Sequence, residues 1–126
     1  MRALTLDYLK TRQQFGQPIG KFQVLQHRMV DMRIELDQAT SMTLLAACVC
    51  DQVDSDERSR VLAAAKFIVS RASRFVADQG IQLHGGIGLT WEYILSHHAK
   101  HLLMVSRQFG DDDHHLQAYA QLLQVA

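Results

Sequence analysis

An all-α fold, an up-and-down four-helix bundle, is predicted here by three observations. Apolar residues recur three and four apart over long stretches, no useful length alternates with period two, and proline and paired glycines fall at only a few points. The first pattern marks helices with one apolar stripe, and the second argues against strands. The third sets short connections, which make sequential helices antiparallel neighbours. At 126 residues the chain is read as one domain, long enough to bury most of its apolar surface.

The first helix is predicted from residue 2 to about 15, on the spacing of Leu4, Thr5, Tyr8 and Leu9. No capping signal precedes Arg2, so the segment has the look of a helix interior, and a piece of something larger is expected. Phe15-Gly16-Gln17-Pro18-Ile19-Gly20 is the clearest break, with two glycines around the only proline. One helix is expected to stop at Gly16 and the next to start near Lys21.

From Phe22 to Gln52 there is neither glycine nor proline. Leu25, Met29, Met32, Leu36, Ala39, Thr43, Ala46 and Cys50 form a bundle-like seam, and its methionines suit a core. Cys48 and Cys50 are two apart on this helix, so they face apart. Neither a disulfide nor a shared metal is expected, and reduced, buried thiols are the reading. Residues 52–59 form a polar loop in which Asp54 or Ser55 can cap the following helix.

Val61 to about Leu83 is the third helix. Leu62, Ala65, Val69, Ala72 and Val76, beside Val61, Ile68 and Phe75, make a broad stripe with small residues that permit close approach. Lys66, Arg71, Arg74 and Asp78 sit off it. After the glycines at 85, 86 and 88, Thr90 can cap a helix running from Trp91 to Val105. Gln108 to Asp113 breaks it, and Asp111 or Asp112 can cap a last helix reaching Leu123.

Composition excludes several function classes. With 13 basic and 13 acidic residues, nothing supports a nucleic-acid partner. There is no signal-peptide pattern, and no apolar run reaches the ~18 residues of a membrane span. A soluble, cytoplasmic protein is expected. Seven histidines invite a metal, yet no His-Glu-x-x-His or Cys-x-x-Cys spacing is present, so no metal is expected. No Gly-x-Ser-x-Gly elbow marks a nucleophile.

Two breaks share ingredients. Arg12 lies one turn before Gly16, and Gln23, Gln26 and His27 open the next helix. Gln82 precedes Gly85-Gly86-x-Gly88. One guanidinium, several amides and a glycine-lined backbone suit a pyrophosphate and an adenine or ribose edge. The alternatives stand beside that reading: a glycine helix stop, a surface ion pair at Arg12, and solvated glutamines.

The two patterns are Arg12-x-x-Phe15-Gly16-x-Pro18-Ile19-x-x-Phe22-Gln23 and Gln82-x-x-Gly85-Gly86-x-Gly88-x-x-x-Glu92-Tyr93, joined by two uninterrupted helices. Together they resemble the acyl-CoA dehydrogenases in their C-terminal helical domain, across nearly the whole chain. The resemblance implies a flavoenzyme family that dehydrogenates acyl-CoA thioesters between the α and β carbons. A base takes the α-proton, and the β-hydrogen leaves as hydride to FAD. It implies a four-helix bundle that builds dimer and tetramer contacts, either as a homo-oligomer or with a related dehydrogenase chain. It further implies that Arg12 and Gln23 contact the FAD pyrophosphate or adenine region. Phe15 would pack on the cofactor, and Gln82, Gly85 and Gly86 would present amide and backbone groups to its adenosine part.

Three departures accompany the resemblance. The N-terminal helical domain and the middle β-domain of the family are absent from these 126 residues. The stretch that in many members carries the base, Tyr-Glu-Gly-Thr, is replaced within Val105–Asp112, which holds no Glu. An Arg common ahead of the Ala-Lys pair is His98. Asp111 is the candidate substitute base, although a helix N-cap suits its position better. Glu92 reads as structural within the helix after the turn. Phe109-Gly110-Asp111 is similar to bacterial subfamilies acting on bulky or steroid-type CoA esters, some of them two-chain assemblies. The alternative function is a helical oligomerisation module that keeps the fold and binds no flavin.

Overall fold

A computed structural model of the chain describes residues 1–51 and 55–124, with Ser55 as backbone only. Five α-helices are found among them: α1 (Arg2–Thr11), α2 (Gln23–Val49), α3 (Ser55–His84), α4 (Ile94–Arg107) and α5 (Asp112–Gln124). The all-α bundle is therefore as the sequence predicts. Helix α3 runs through its middle and packs on each of the other four. Of the cap expected at Asp54 or Ser55, Asp54 lies outside the described residues and Ser55 is described by its backbone alone, as the first residue of α3.

The α2–α3 hairpin is antiparallel and its register is pinned twice. Arg28 Nη1 donates to Gln79 Oε1 at 3.0 Å, and Arg71 Nη2 meets Glu35 Oε2 at 3.3 Å. Small residues on α3 allow this close pairing, since Ala63, Ala65, Ala72 and Ala77 are all buried. The core joins Leu9 of α1, Met29 and Met32 of α2, and Val76 and Leu83 of α3. Met32 is wholly buried, so the methionine stripe fills the core as expected.

Four local expectations are corrected. The first helix ends at Thr11 and not near residue 15. Gln13–Gln14 and Gln17–Pro18 pair as strands β1 and β2, although no strand is expected from the sequence. Pro18 has no N–H to give a helix and drives Gln17 extended, while Phe15 and Gly16 both take φ > 0, the handedness of a tight hairpin turn. The next helix starts at Gln23, after a 3-10 turn over Ile19–Lys21.

Second, Cys48 and Cys50 are exposed, not buried, and Thr43 of the same seam faces solvent. Beyond Ala39 the outer side of α2 has no described element over it, and Leu44 is 63% exposed. An open groove of about 600 Å³ lies there between the start of α1, α2, α3 and α4.

Third, Thr90 caps no helix. Its hydroxyl donates back to Ile87 O at 2.9 Å and closes a 3-10 helix over Gly85–Leu89. Trp91 and Glu92 then form a turn, so Glu92 lies outside α4, which opens at Ile94. Fourth, Lys66 does not sit off the buried stripe. It is half-buried, and its ammonium donates to Ser70 Oγ at 3.2 Å, Val105 O at 3.2 Å and Ser106 O at 3.3 Å. A cation there satisfies the orphan carbonyls at the C-terminus of α4.

Candidate functional site

The hairpin register brings the two sequence patterns to one end of the bundle. Arg28 pairs with Gln79, so Gln23, five residues earlier on α2, lies level with His84, five residues later on α3. Helix α1 reaches the same end through Tyr8, whose ring stacks on His84 at 4.4 Å between centroids and whose hydroxyl donates to His84 O at 3.4 Å. Arg12 follows one turn on, its N–H bonded to Tyr8 O at 2.8 Å. Gly85 is the residue after His84. Arg12, Gln23 and the glycine turn, with Arg12 and Gly85 73 positions apart in the chain, thus lie toward the same end of the bundle.

Phe15 tips the β1–β2 hairpin and leans over Phe22, with ring centroids 5.9 Å apart at 88°. It is 88% exposed at φ 54°, a conformation rare for a bulky residue. Such strain persists only when the surroundings impose it, and it gathers where a side chain must be presented outward. Here the Pro18 hairpin and the bond from Ile19 N to Arg12 O at 2.8 Å impose it.

All six residues singled out by sequence have exposed side chains or backbone: Arg12, Phe15, Gln23, Gln82, Gly85 and Gly86. Among the described residues no carboxylate lies within salt-bridge distance of Arg12, so the ion-pair alternative finds no partner there. The glycines divide by role. Gly85 has φ 65°, which ends α3, and Gly86 needs no unusual φ; a Cβ on either would meet nothing within 4 Å. Gly88 is buried, and a Cβ there would sit 3.1 Å from Ile81 O. Gly88 is a packing glycine, whereas Gly85 and Gly86 leave an uncovered stretch of backbone.

The residues that sequence reasoning passed over are Tyr8, His84 and Tyr93, which hold this end together. His84 is 4% exposed. Its Nδ1 lies 2.8 Å from Gly80 O, and burial lowers its pKa from the ordinary imidazole value, opposed by that hydrogen bond. Histidine beside Gly-Gly was visible as a word in the sequence, but its burial follows only from α1 crossing there. Lys10 and Lys21 also lie here, on the rim of a cleft of about 470 Å³ floored by Leu9 and Met29.

Asp111 is used as a cap. Its Oδ1 accepts the His114 N–H at 3.0 Å, and that bond holds its carboxyl below the usual range. Next to it Arg74 binds Asp112 at 3.0 Å, and Phe109, 93% exposed at φ 60°, lies in the turn that links α4 to α5. Among the described residues no three His, Cys, Asp or Glu side chains converge as a metal site. No described helix is long and apolar enough to cross a membrane.

Fold and site together define a helical-bundle domain, one end of which exposes Arg12, amide side chains and a glycine-lined backbone. The family is given by comparison: residues 2–123 match the acyl-CoA dehydrogenase C-terminal domain, and the chain belongs to that family. Among its relatives, acyl-CoA dehydrogenase IpdE2 of Mycobacterium tuberculosis is 42% identical over 90 residues, 71% of this chain and 26% of that protein. The chain thus spans about a quarter of that relative's length. The FAD complex of PigA superposes with a TM-score of 0.87 at 29% identity, over 98% of this chain and 32% of the other. A chain of the ChsE4–ChsE5 complex from Mycobacterium tuberculosis does so at 0.90 and 25%, over 99% and 34%.

Proposed function

We propose that this chain supplies part of an FAD site and an oligomer interface to an acyl-CoA dehydrogenase. The observation that supports it is the exposure of Arg12, Phe15, Gln23 and the Gly85–Gly86 backbone toward one end of the bundle, with no carboxylate at salt-bridge distance from Arg12 among the described residues. The donor set fits the ADP half of FAD. Arg12 gives a permanent, charge-assisted contact for pyrophosphate. Gln23 and Gln82 offer amides to an adenine or ribose edge. Gly85 and Gly86 let backbone N–H groups approach a phosphate without a Cβ in the way. Phe15 lays an apolar ring over the ligand. FAD, when bound in the complete enzyme, accepts the hydride of the α,β-dehydrogenation.

No residue here is assigned as the base. Asp111 is committed to the α5 cap, and a carboxyl held low is a poor proton acceptor. The acyl-CoA substrate is therefore left to the rest of the enzyme, and the isolated chain is without turnover. The partner is a second copy or a related dehydrogenase chain, in the cytoplasm, where Cys48 and Cys50 stay reduced. Exposed apolar side chains on several helices, Ile34, Leu44, Met104 and Leu116 among them, support that interface and also favour a second reading, a helical assembly module that binds no flavin.

Titrating FAD into the chain and into Arg12→Ala, read by flavin fluorescence, separates the two. Saturable binding that Arg12→Ala weakens is expected. The same weak response from both proteins leaves only the module. Sedimentation should show a dimer or larger species; a monomer at micromolar concentration removes the interface from either reading.

A further inference from the structure

One buried side chain touches α1, the 3-10 turn and the segment before α4 at the ligand-facing end. His84 closes α3, stacks on Tyr8 of α1 at 4.4 Å and 25°, and tilts against Tyr93, which precedes α4, at 5.4 Å. Its Cβ packs under the 3-10 turn so closely that a methyl on Gly88 would lie 3.1 Å away. Nδ1 is 2.8 Å from Gly80 O, and a carbonyl only accepts, so Nδ1 carries the hydrogen. Nε2 is buried and has no hydrogen-bond partner among the described residues.

We propose that the His84 ring is the strut that sets Arg12 at a fixed separation from the Gly85–Gly86 backbone, a positioning residue for a diphosphate-bearing ligand. It rests on the nucleotide reading of that end. The path is short on both sides. Arg12 hangs from Tyr8 O, Tyr8 lies flat on His84, and Gly85 is bonded to His84. Removing the ring leaves α1 and the glycine turn without a common support.

A consequence is that the strut works in one protonation state. Among the described residues the groups in contact with His84 are Tyr8 from α1, Gly80 from α3, Gly88 from the 3-10 turn and Tyr93 before α4, and none of these is a carboxylate. A proton on Nε2 would be a buried donor with nothing to receive it, so acid displaces the ring. Because the folded imidazole favours its neutral form, its contribution is complete above the unfolded value of 6.5 and is lost as pH falls below it.

The test uses the full chain, FAD as the probe, and two readouts. FAD affinity is measured at pH 7.5 and 5.5 for the wild type, His84→Phe and His84→Ala. The phenyl keeps the stack and cannot titrate. Wild-type affinity is expected to fall on acidification, His84→Phe to bind at both pH values alike, and His84→Ala to lose about tenfold or more at either, the scale of a misplaced contact. Separately, the backbone amide signals of Arg12, Gly85 and Gly86 should move in wild type with one shared midpoint, and hold still in His84→Phe. Amides that stay fixed while the His84 ring titrates overturn the strut, whatever FAD does. An equal acid loss in wild type and His84→Phe, or a folded His84→Ala that binds as wild type, overturns it as well. If the amides move as expected but no FAD binds at any pH, the nucleotide reading fails and the strut stands as a support of the turn alone.

Discussion

Replacing Gly86 with alanine separates a helix stop from a ligand surface. Gly86 does not adopt the left-handed conformation, and a Cβ built on it meets nothing within 4 Å. The added methyl therefore has neither strain nor clash to overcome, and it removes some freedom from the unfolded chain. Stability should change by no more than about 0.5 kcal/mol, as for other open surface sites. The ligand is affected otherwise. A methyl beside the backbone N–H keeps a phosphate oxygen from closing to hydrogen-bond distance, and a bond to a charged group is worth about 1.5–3 kcal/mol. That converts to a loss of about 10- to 100-fold in FAD affinity. Thermal unfolding by circular dichroism measures the first quantity and fluorescence titration with FAD the second. Gly85→Ala is the contrast: its φ of 65° makes alanine costly for folding, at about 1–2 kcal/mol, so its binding defect is mixed with strain. Unchanged FAD affinity in a folded Gly86→Ala would refute the reasoning, because the turn would then be a stop and nothing more.

Met32→Ala should lower stability by about 2–5 kcal/mol in urea unfolding, because the side chain is fully enclosed between α1, α2 and α3 and the bundle cannot collapse onto the space; a smaller effect would mean the core repacks freely. Asp111→Ala should destabilise α5 by freeing the His114 N–H, while leaving FAD affinity unchanged, since the carboxylate is a cap. The pH dependence has a definite sign. A carboxyl held low in the fold stabilises above its unfolded value of 3.8 and ceases to do so as pH falls through the lower folded value, so wild type and Asp111→Ala should converge in strong acid. Curves that stay parallel to the lowest pH would show that the charge of Asp111 does not matter.

Much of the architecture was legible as pattern, since a helix stripe is written in one local period. The Met29–Met32–Leu36 run placed α2 and its core face, and Asp111 announced the start of α5. What local pattern misjudged was burial and the fine shape of turns. Cys48 has the composition of a core residue, but its exposure depends on whether an element covers its side of α2, and among the described residues it is exposed while Val49 beside it is buried. Thr90 is a good cap in isolation, yet its hydroxyl closes the preceding 3-10 turn because Trp91 and Glu92 delay the helix. The hairpin at Phe15 was hidden because two paired residues are too few to show a period of two.

The sequence by itself determined that the chain is helical, roughly where the breaks fall and the residue types offered at each break: a guanidinium, amides and glycines. These follow from chain-local physics, namely helix period, proline's missing donor and glycine's freedom at φ > 0. Only the tertiary structure decided that Arg12, Gln23 and Gly85 lie toward one end of the bundle. Their placement there depends on the antiparallel register fixed by Arg28–Gln79 and on Tyr8 landing flat on a buried His84. A stack between residues 76 apart along the chain leaves no mark in the spacing of either, because it is made by packing, which acts across the bundle and not along the chain.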